Sequence, residues 1–199
     1  MTKQGKENIG LYFGSFNPIH NGHLILANYI VENSDLNKIW FVVSPQNPLK
    51  KQSSLLDNNT RLHLVELAIQ DNPKFYVSNI EFSLAVPSYT ANTLAYICEK
   101  YPDKTFSLII GEDNLCCFDK WRNYKTILEY YNIYVYPREN CKKENNPFLS
   151  YANVKMIDAP MINISASYIR ELLKRNQSIE YLVPENVRQE IEKFNLYEN

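Results

Sequence analysis

The sequence predicts an α/β fold, a parallel sheet with helices on both faces. Two observations carry the prediction. Short apolar runs that end at glycine or polar residues alternate with segments whose apolar residues recur at helical spacing, the order that a parallel sheet with helical crossovers produces. The chain, 199 residues of which 45% are hydrophobic, is long enough for one compact domain with a buried core and short for two full-sized ones.

Ile9 to Phe13 is apolar and stops at Gly14, and Leu24, Ala27 and Val31 then recur at helical spacing, so a strand, a short loop and a helix come first. Ile39 to Val43 is the next strand. Beyond a loop containing proline and lysine, Leu62, Val65 and Ile69 mark a second helix, Phe75 to Val77 a short strand, and Thr93 to Tyr101 a third helix. Thr105 to Ile110 reads as a strand closed by Gly111. Helical segments near Asn114 to Phe118 and Lys125 to Tyr130 follow, then a strand from Ile133 to Tyr136. Pro137 to Ser150 reads as a long surface loop able to cover a ligand. Pro184 suits the first turn of a final helix with the apolar stripe Val187, Ile191 and Phe194. The expected architecture is a Rossmann-like sheet in a single domain, residues 1–199, with a small helical part from about residue 165 onward. Ligands of such sheets bind beyond the carboxyl ends of the strands, which gathers Gly14 to His23, Ser44 to Lys51 and Gly111 to Trp121 around one crevice.

Charge narrows the function. The formal net charge is -1, with both signs mixed along the chain, so no global basic field points to a nucleic acid polymer or an anionic membrane. Phosphate binding must be local. Met1 to Asn8 is polar, and the apolar run after it is too short for a signal peptide or a membrane span, so the expected location is the cytoplasm. Cys98, Cys116, Cys117 and Cys141 have neither CxxC spacing nor a nearby histidine, and read as ordinary reduced thiols. Self-association is left open.

Gly14-Ser15-Phe16-Asn17-Pro18-Ile19-His20-Asn21-Gly22-His23 lies between the first strand and the first helix. Gly14 lets the backbone turn sharply or approach a ligand, Gly22 does the same at the helix start, and the first free N–H groups of the helix attract anions. His20 and His23 are three apart, so both rings can face one anion. Taken alone, the run also fits a solvated turn. The chain has three histidines, two of them here; His63 shares a helical face with Glu66 and Gln70 and reads as surface. The run resembles the signature of the HxGH nucleotidyltransferase superfamily, in which the two histidines contact ATP phosphates.

Near the other end, Ile164-Ser165-Ala166-Ser167-Tyr168-Ile169-Arg170 puts hydroxyls at a helix start and a cation one turn on. This is either a capped surface helix or a cradle for phosphates. It resembles the superfamily's second signature, ISxTxIR, with Ser167 where threonine is usual. In the middle of the chain, Pro87-Ser88-Tyr89-Thr90-Ala91-Asn92-Thr93-Leu94 is similar to the SYTxDTL segment of bacterial nicotinate mononucleotide adenylyltransferases, and Ile110 to Leu115 followed by Trp121 is similar to their IGxDNL...W segment. Tyr181-Leu182-Val183-Pro184 extends the likeness to the C-terminal part.

The resemblance implies adenylyl transfer from ATP to a pyridine mononucleotide, nicotinic acid mononucleotide first, with Mg²⁺ carried by the ATP and no metal ligands of the protein's own. Nicotinamide mononucleotide, phosphopantetheine, or a non-catalytic nucleotide-binding role are the alternatives. By this likeness His20, His23, Lys50 and Arg170 are catalytic. Gly14, Ser15, Phe16, Gly111, Asp113, Ser165 and Ser167 join the two histidines and Arg170 at ATP, while Tyr89, Thr90, Trp121 and Arg138 take the acceptor. Tyr89 and Trp121 would flank the pyridine ring, and Thr90 would help hold the carboxylate. Departures exist. Asn47-Pro48-Leu49-Lys50-Lys51 stands where the family often has PPHK, so either lysine fits the phosphate register and Lys50 is chosen; Asn17 and Asn92 replace common aspartates.

Overall fold

The structure is a computed structural model that describes residues 6–45, 55–139 and 146–197. Among these residues, β1 (Glu7–Gly14), β2 (Lys38–Val43), β3 (Phe75–Ser78), β4 (Lys104–Gly111), β5 (Ile133–Tyr136) and β6 (Val154–Met156) form one sheet in the order β3-β2-β1-β4-β5-β6, every pairing parallel. The helices are α1 (Asn21–Glu32), α2 (Asn58–Ile69), α3 (Thr90–Lys100), α4 (Glu112–Leu115), α5 (Tyr124–Tyr130), α6 (Ala166–Lys174) and α7 (Glu185–Lys193). The strands are apolar on both faces because both faces are covered. Leu11, Val42, Leu108 and Val135 pack with Leu94 and Ile97 of α3 and Ile127 of α5. On the other face Tyr12, Phe41, Ile109 and Tyr134 pack with Ala27 of α1, Leu64 of α2, Ile169 of α6 and Val187 of α7. The strand order reverses between β1 and β4, so the crevice at the ends of those two strands, Gly14 and Gly111, is where a ligand of such a sheet sits.

Several boundaries differ from expectation. β6 was not anticipated: it has three residues, one of them buried, which is too short for an alternating pattern to register. Phe194 does not continue the stripe of α7, since the helix ends at Lys193 and Phe194 is 55% exposed; Val187 and Ile191 are buried, and Tyr197 folds back into the core. Of the Pro137 to Ser150 loop, Pro147–Ser150 is a 3-10 turn capped by the Asn146 side chain, and residues 140–145, with Cys141, lie outside the described residues. His63 is a surface residue, bridging α2 to α7 through Glu190 at 3.0 Å. No described helix is long and apolar enough to cross a membrane.

Candidate active site

Between β1 and α1 the chain must turn while keeping Phe16 in the core. A Cβ on Gly14 would meet the Phe16 ring at 2.8 Å, and the left-handed backbone of the turn belongs to Phe16 itself, at φ 44°. Gly14 therefore supplies room for a ring rather than its own unusual torsion. Phe16 packs edge-on against Tyr12 and His23, with centroids 5.8 and 5.1 Å away. His20 then caps α1 in an extended conformation, and its N–H donates to His23 Nδ1 at 3.3 Å. An Nδ1 that accepts leaves the proton on Nε2, so neutral His23 presents a donor at the far side of its ring. The two imidazoles stack with centroids 3.6 Å apart. His20 is 5% exposed, and burial, reinforced by the charge of Arg138, pulls its pKa down from 6.5 to about 4. Its buried Nδ1 has no partner. The first N–H of α1, expected to be free for an anion, instead donates to the Leu182 carbonyl at 2.8 Å.

The second motif meets the first. Ser165 caps α6, accepting from the Tyr168 N–H at 3.1 Å. Arg170 donates from Nη1 to the Asn17 carbonyl at 2.7 Å and from Nη2 to the exposed Ser167 hydroxyl at 3.2 Å. One donor thus holds the histidine loop and a second stays within α6, which leaves the rest of the five-donor fork available. At the end of β4, a Cβ on Gly111 would run into the carboxylate of Asp113, itself exposed on α4. The guanidinium of Arg138, a residue expected near the pyridine, lies 5.0 Å from the Tyr136 ring centroid, and Arg138 lines a crevice with Tyr12, His20, His23 and Tyr136. Lys50 and its neighbour Lys51 lie outside the described residues.

Tyr89 and Trp121 form a second group. Tyr89 stands at the N-cap position of α3, Thr90 is that helix's first residue, and the guanidinium of Arg122, next in sequence to Trp121, sits 4.7 Å from the Tyr89 ring centroid. Trp121 is half-buried against Phe118, centroids 5.1 Å apart, and its Nε1 is buried without a partner.

The profile of the cytidylyltransferase-like family matches residues 11–172. A protein of Flavobacterium psychrophilum named a probable nicotinate-nucleotide adenylyltransferase is 52% identical over 95% of this chain and 98% of its own length. A relative of the same name from Cytophaga hutchinsonii is 53% identical over 96% of this chain and 98% of its own. The chain belongs to the nicotinate-nucleotide adenylyltransferase family. The fold agrees with that membership: the Plasmodium falciparum nicotinic acid mononucleotide adenylyltransferase complexed with NaAD superposes with a TM-score of 0.79 at 23% identity, covering 96% of this chain and 97% of the other.

Three charged residues escaped the motif reading. Arg61 is fully buried at the start of α2, on the face shared by Leu64 and Val65, so a cation on an apolar helical stripe was the available signal. Glu81 is buried behind the Ser88 to Thr90 segment and accepts from the Thr93 hydroxyl at 2.7 Å. Burial raises its pKa, opposed by the hydroxyls of Thr93, Ser44 and Ser88; nothing in its local sequence marked it. Arg122 had only its adjacency to Trp121.

Proposed function

We propose that this protein transfers the adenylyl group of ATP to nicotinic acid mononucleotide, giving nicotinic acid adenine dinucleotide and pyrophosphate. The observation that carries the proposal is the junction of the two motifs, where stacked His20 and His23 sit on a loop that Arg170 grips from α6. The acceptor's phosphate monoester is mostly dianionic near neutral pH, its second pKa being about 6, so no protein base has to generate the nucleophile. An acceptor oxygen attacks the α-phosphorus in line, the new O–P bond forms as the bond to the bridging oxygen breaks, and pyrophosphate leaves with the electron pair. The protein's contribution is position and charge. His23, with its proton held on Nε2, donates toward the developing charge, and His20 gains a proton's worth of attraction once phosphates offset its burial. Arg170 and Lys50 take the leaving pyrophosphate, and Ser165, Ser167 and the α6 N-terminus take further phosphate oxygens.

Gly14, Ser15, Phe16, Gly111 and Asp113 border the adenosine and phosphate end. Arg138, given its place beside the histidines, is better suited to a phosphate than to the pyridine. Mg²⁺ carried by ATP supplies charge neutralisation. The polar side chains of the crevice are His20, His23, Arg138, Tyr12 and Tyr136, beside apolar Leu26, Ile162 and Ile164, a donor set compatible with an ion held by phosphate oxygens and water. Tyr89 and Trp121 receive the pyridine ring and Thr90 its carboxylate. The cytoplasm is the compartment that fits these substrates and reduced cysteines. The test is ATP-dependent pyrophosphate release with nicotinic acid mononucleotide, nicotinamide mononucleotide and phosphopantetheine in turn; faster turnover of either rival overturns the acceptor, and release with none overturns the reaction.

A further inference from the structure

Among the described residues Arg61 is the largest side chain with no exposed surface. It comes from the first turn of α2 and reaches under the carboxyl ends of two adjacent strands. Nη1 donates to the carbonyls of Ser15, just past β1, and of Ser44, just past β2, the latter at 2.9 Å. Nη2 donates to the Asn58 side chain at 2.7 Å and to the Pro45 carbonyl at 3.4 Å, and Nε donates to the Leu56 carbonyl at 3.0 Å. The strand ends it bridges are themselves paired, Ser44 N–H to Gly14 carbonyl at 2.9 Å. Such a fork is a use that arginine alone allows, because its donors are fixed in one plane.

The charge is the unusual part. A buried cation is ordinarily matched by a carboxylate. Among the described residues no carboxylate bonds to Arg61: its partners are carbonyls and one amide, while Tyr197 and then Asp57 act on it only through longer-range charge, and the Asp57 carboxylate is itself committed to Asn59 and Thr60. The stretch 46–54 holds two lysines and no acidic residue. Carbonyl dipoles solvate the guanidinium without cancelling its charge.

We infer that Arg61 is a positioning residue for ATP: its fork fixes Ser15 of the histidine loop against Ser44 and Pro45 at the end of β2, and its charge, met by no carboxylate among the described residues, lies under these strand ends on the side where the triphosphate is received. The inference rests on the adenylyltransferase reading of the same site. A purely structural arginine would stabilise the fold and leave affinity for ATP alone, so charge and packing have to be varied separately. Asn58→Asp does this. It keeps Arg61 and its packing, suits a helix N-terminus, and puts a carboxylate on the guanidinium that cancels its charge. Asn59→Asp, one position on and exposed, adds the same charge to the protein away from Arg61.

Binding of ATP is measured directly by calorimetry at two salt concentrations, together with melting temperature. Asn58→Asp is expected to melt no lower than wild type yet bind ATP about fivefold to tenfold more weakly, with Asn59→Asp within about twofold of wild type. Arg61→Lys is expected to lose both melting temperature and ATP affinity. Equal affinity in wild type and Asn58→Asp, or equal losses in the two aspartate variants, overturns the inference even if Arg61→Lys fails to fold. Wild type that binds ATP but turns over no acceptor sinks the reaction while leaving this comparison decisive, whereas wild type that binds no ATP overturns both.

Discussion

At the scale of the residue, the site rests on two stacked imidazoles, one of which accepts a hydrogen bond from the backbone of the other residue, in unlike environments. His23 keeps its Nε2 proton because Nδ1 is occupied by the His20 N–H, so His23→Ala removes a directed donor together with ring contacts to His20, Phe16 and Tyr12. Turnover should fall by about a hundredfold or more, as for loss of other donors to a developing charge, while the melting temperature stays within a few degrees; steady-state kinetics and thermal melts read the two separately, and wild-type turnover would remove His23 from the mechanism. His20 differs, since its pKa is about 4 in the fold against an ordinary 6.5. Between those values the unfolded chain binds a proton that the folded protein refuses, so stability falls as the pH drops from 6.5 toward 4, by roughly 2 to 3 kcal/mol. Urea denaturation at pH 7.5 and 4.5 should show that loss in wild type and a smaller one in His20→Asn; equal slopes would mean that His20 titrates normally. Both histidines were legible because histidine is rare in this sequence and their spacing is specific. Arg61 and Glu81 were not, because burial of a charged side chain is decided by residues distant in the chain: Ser15 for the one, Thr93 for the other.

At the scale of the element, the N-terminus of α3 and the segment around Trp121 are built independently and meet through Arg122 over Tyr89. Cation–π contact of this kind contributes about 0.5 to 1 kcal/mol at an exposed position, enough to bias a loop and too little to build a site. In the proposed reaction the acceptor's ring is what would complete this group. Trp121→Ala should therefore weaken both pyridine mononucleotides alike, by removing a face common to each. Thr90→Val should instead narrow the preference for the acid, because a hydroxyl serves a carboxylate better than an amide. Loss of a hydrogen bond to a charged group costs roughly 1.5 to 3 kcal/mol, about tenfold to more than a hundredfold in kcat/KM. Measuring kcat/KM for both mononucleotides with wild type and each variant checks this, and an unchanged ratio in Thr90→Val would take Thr90 out of acceptor selection. Long strands and helices were readable from their periodicity. The three-residue β6 and the 3-10 turns were not, since their positions follow from pairing with β5 and from closing loops rather than from a local pattern.

At the scale of the whole molecule, the open question is whether the helical part from about residue 165 is an extension or a wall of the same core. Ile169, Leu172, Ile179, Val183, Val187, Ile191 and Tyr197 belong to the hydrophobic cluster that covers Tyr12, Phe41 and Tyr134 of the sheet. Asn186 donates to the Leu67 carbonyl of α2, and Leu182 caps the first N–H of α1. Each fully buried aliphatic side chain contributes about 1.5 to 3 kcal/mol, so the set is comparable with the whole stability of a domain, about 5 to 15 kcal/mol. The sheet face under α1 and α2 then has no stable state without α6 and α7. Ile191→Ala tests this with less damage than a truncation, at a cost of about 2 to 5 kcal/mol. The two tryptophans, Trp40 in β2 and Trp121, both pack on the sheet face opposite the C-terminal helices and report on the sheet. In one cooperative unit the variant shifts the tryptophan fluorescence transition and the far-ultraviolet circular dichroism transition together to lower urea. If the C-terminal helices unfold on their own, the fluorescence midpoint stays at the wild-type position while part of the dichroism signal is lost early, and the chain would then be a sheet with a detachable helical lid instead of a single domain.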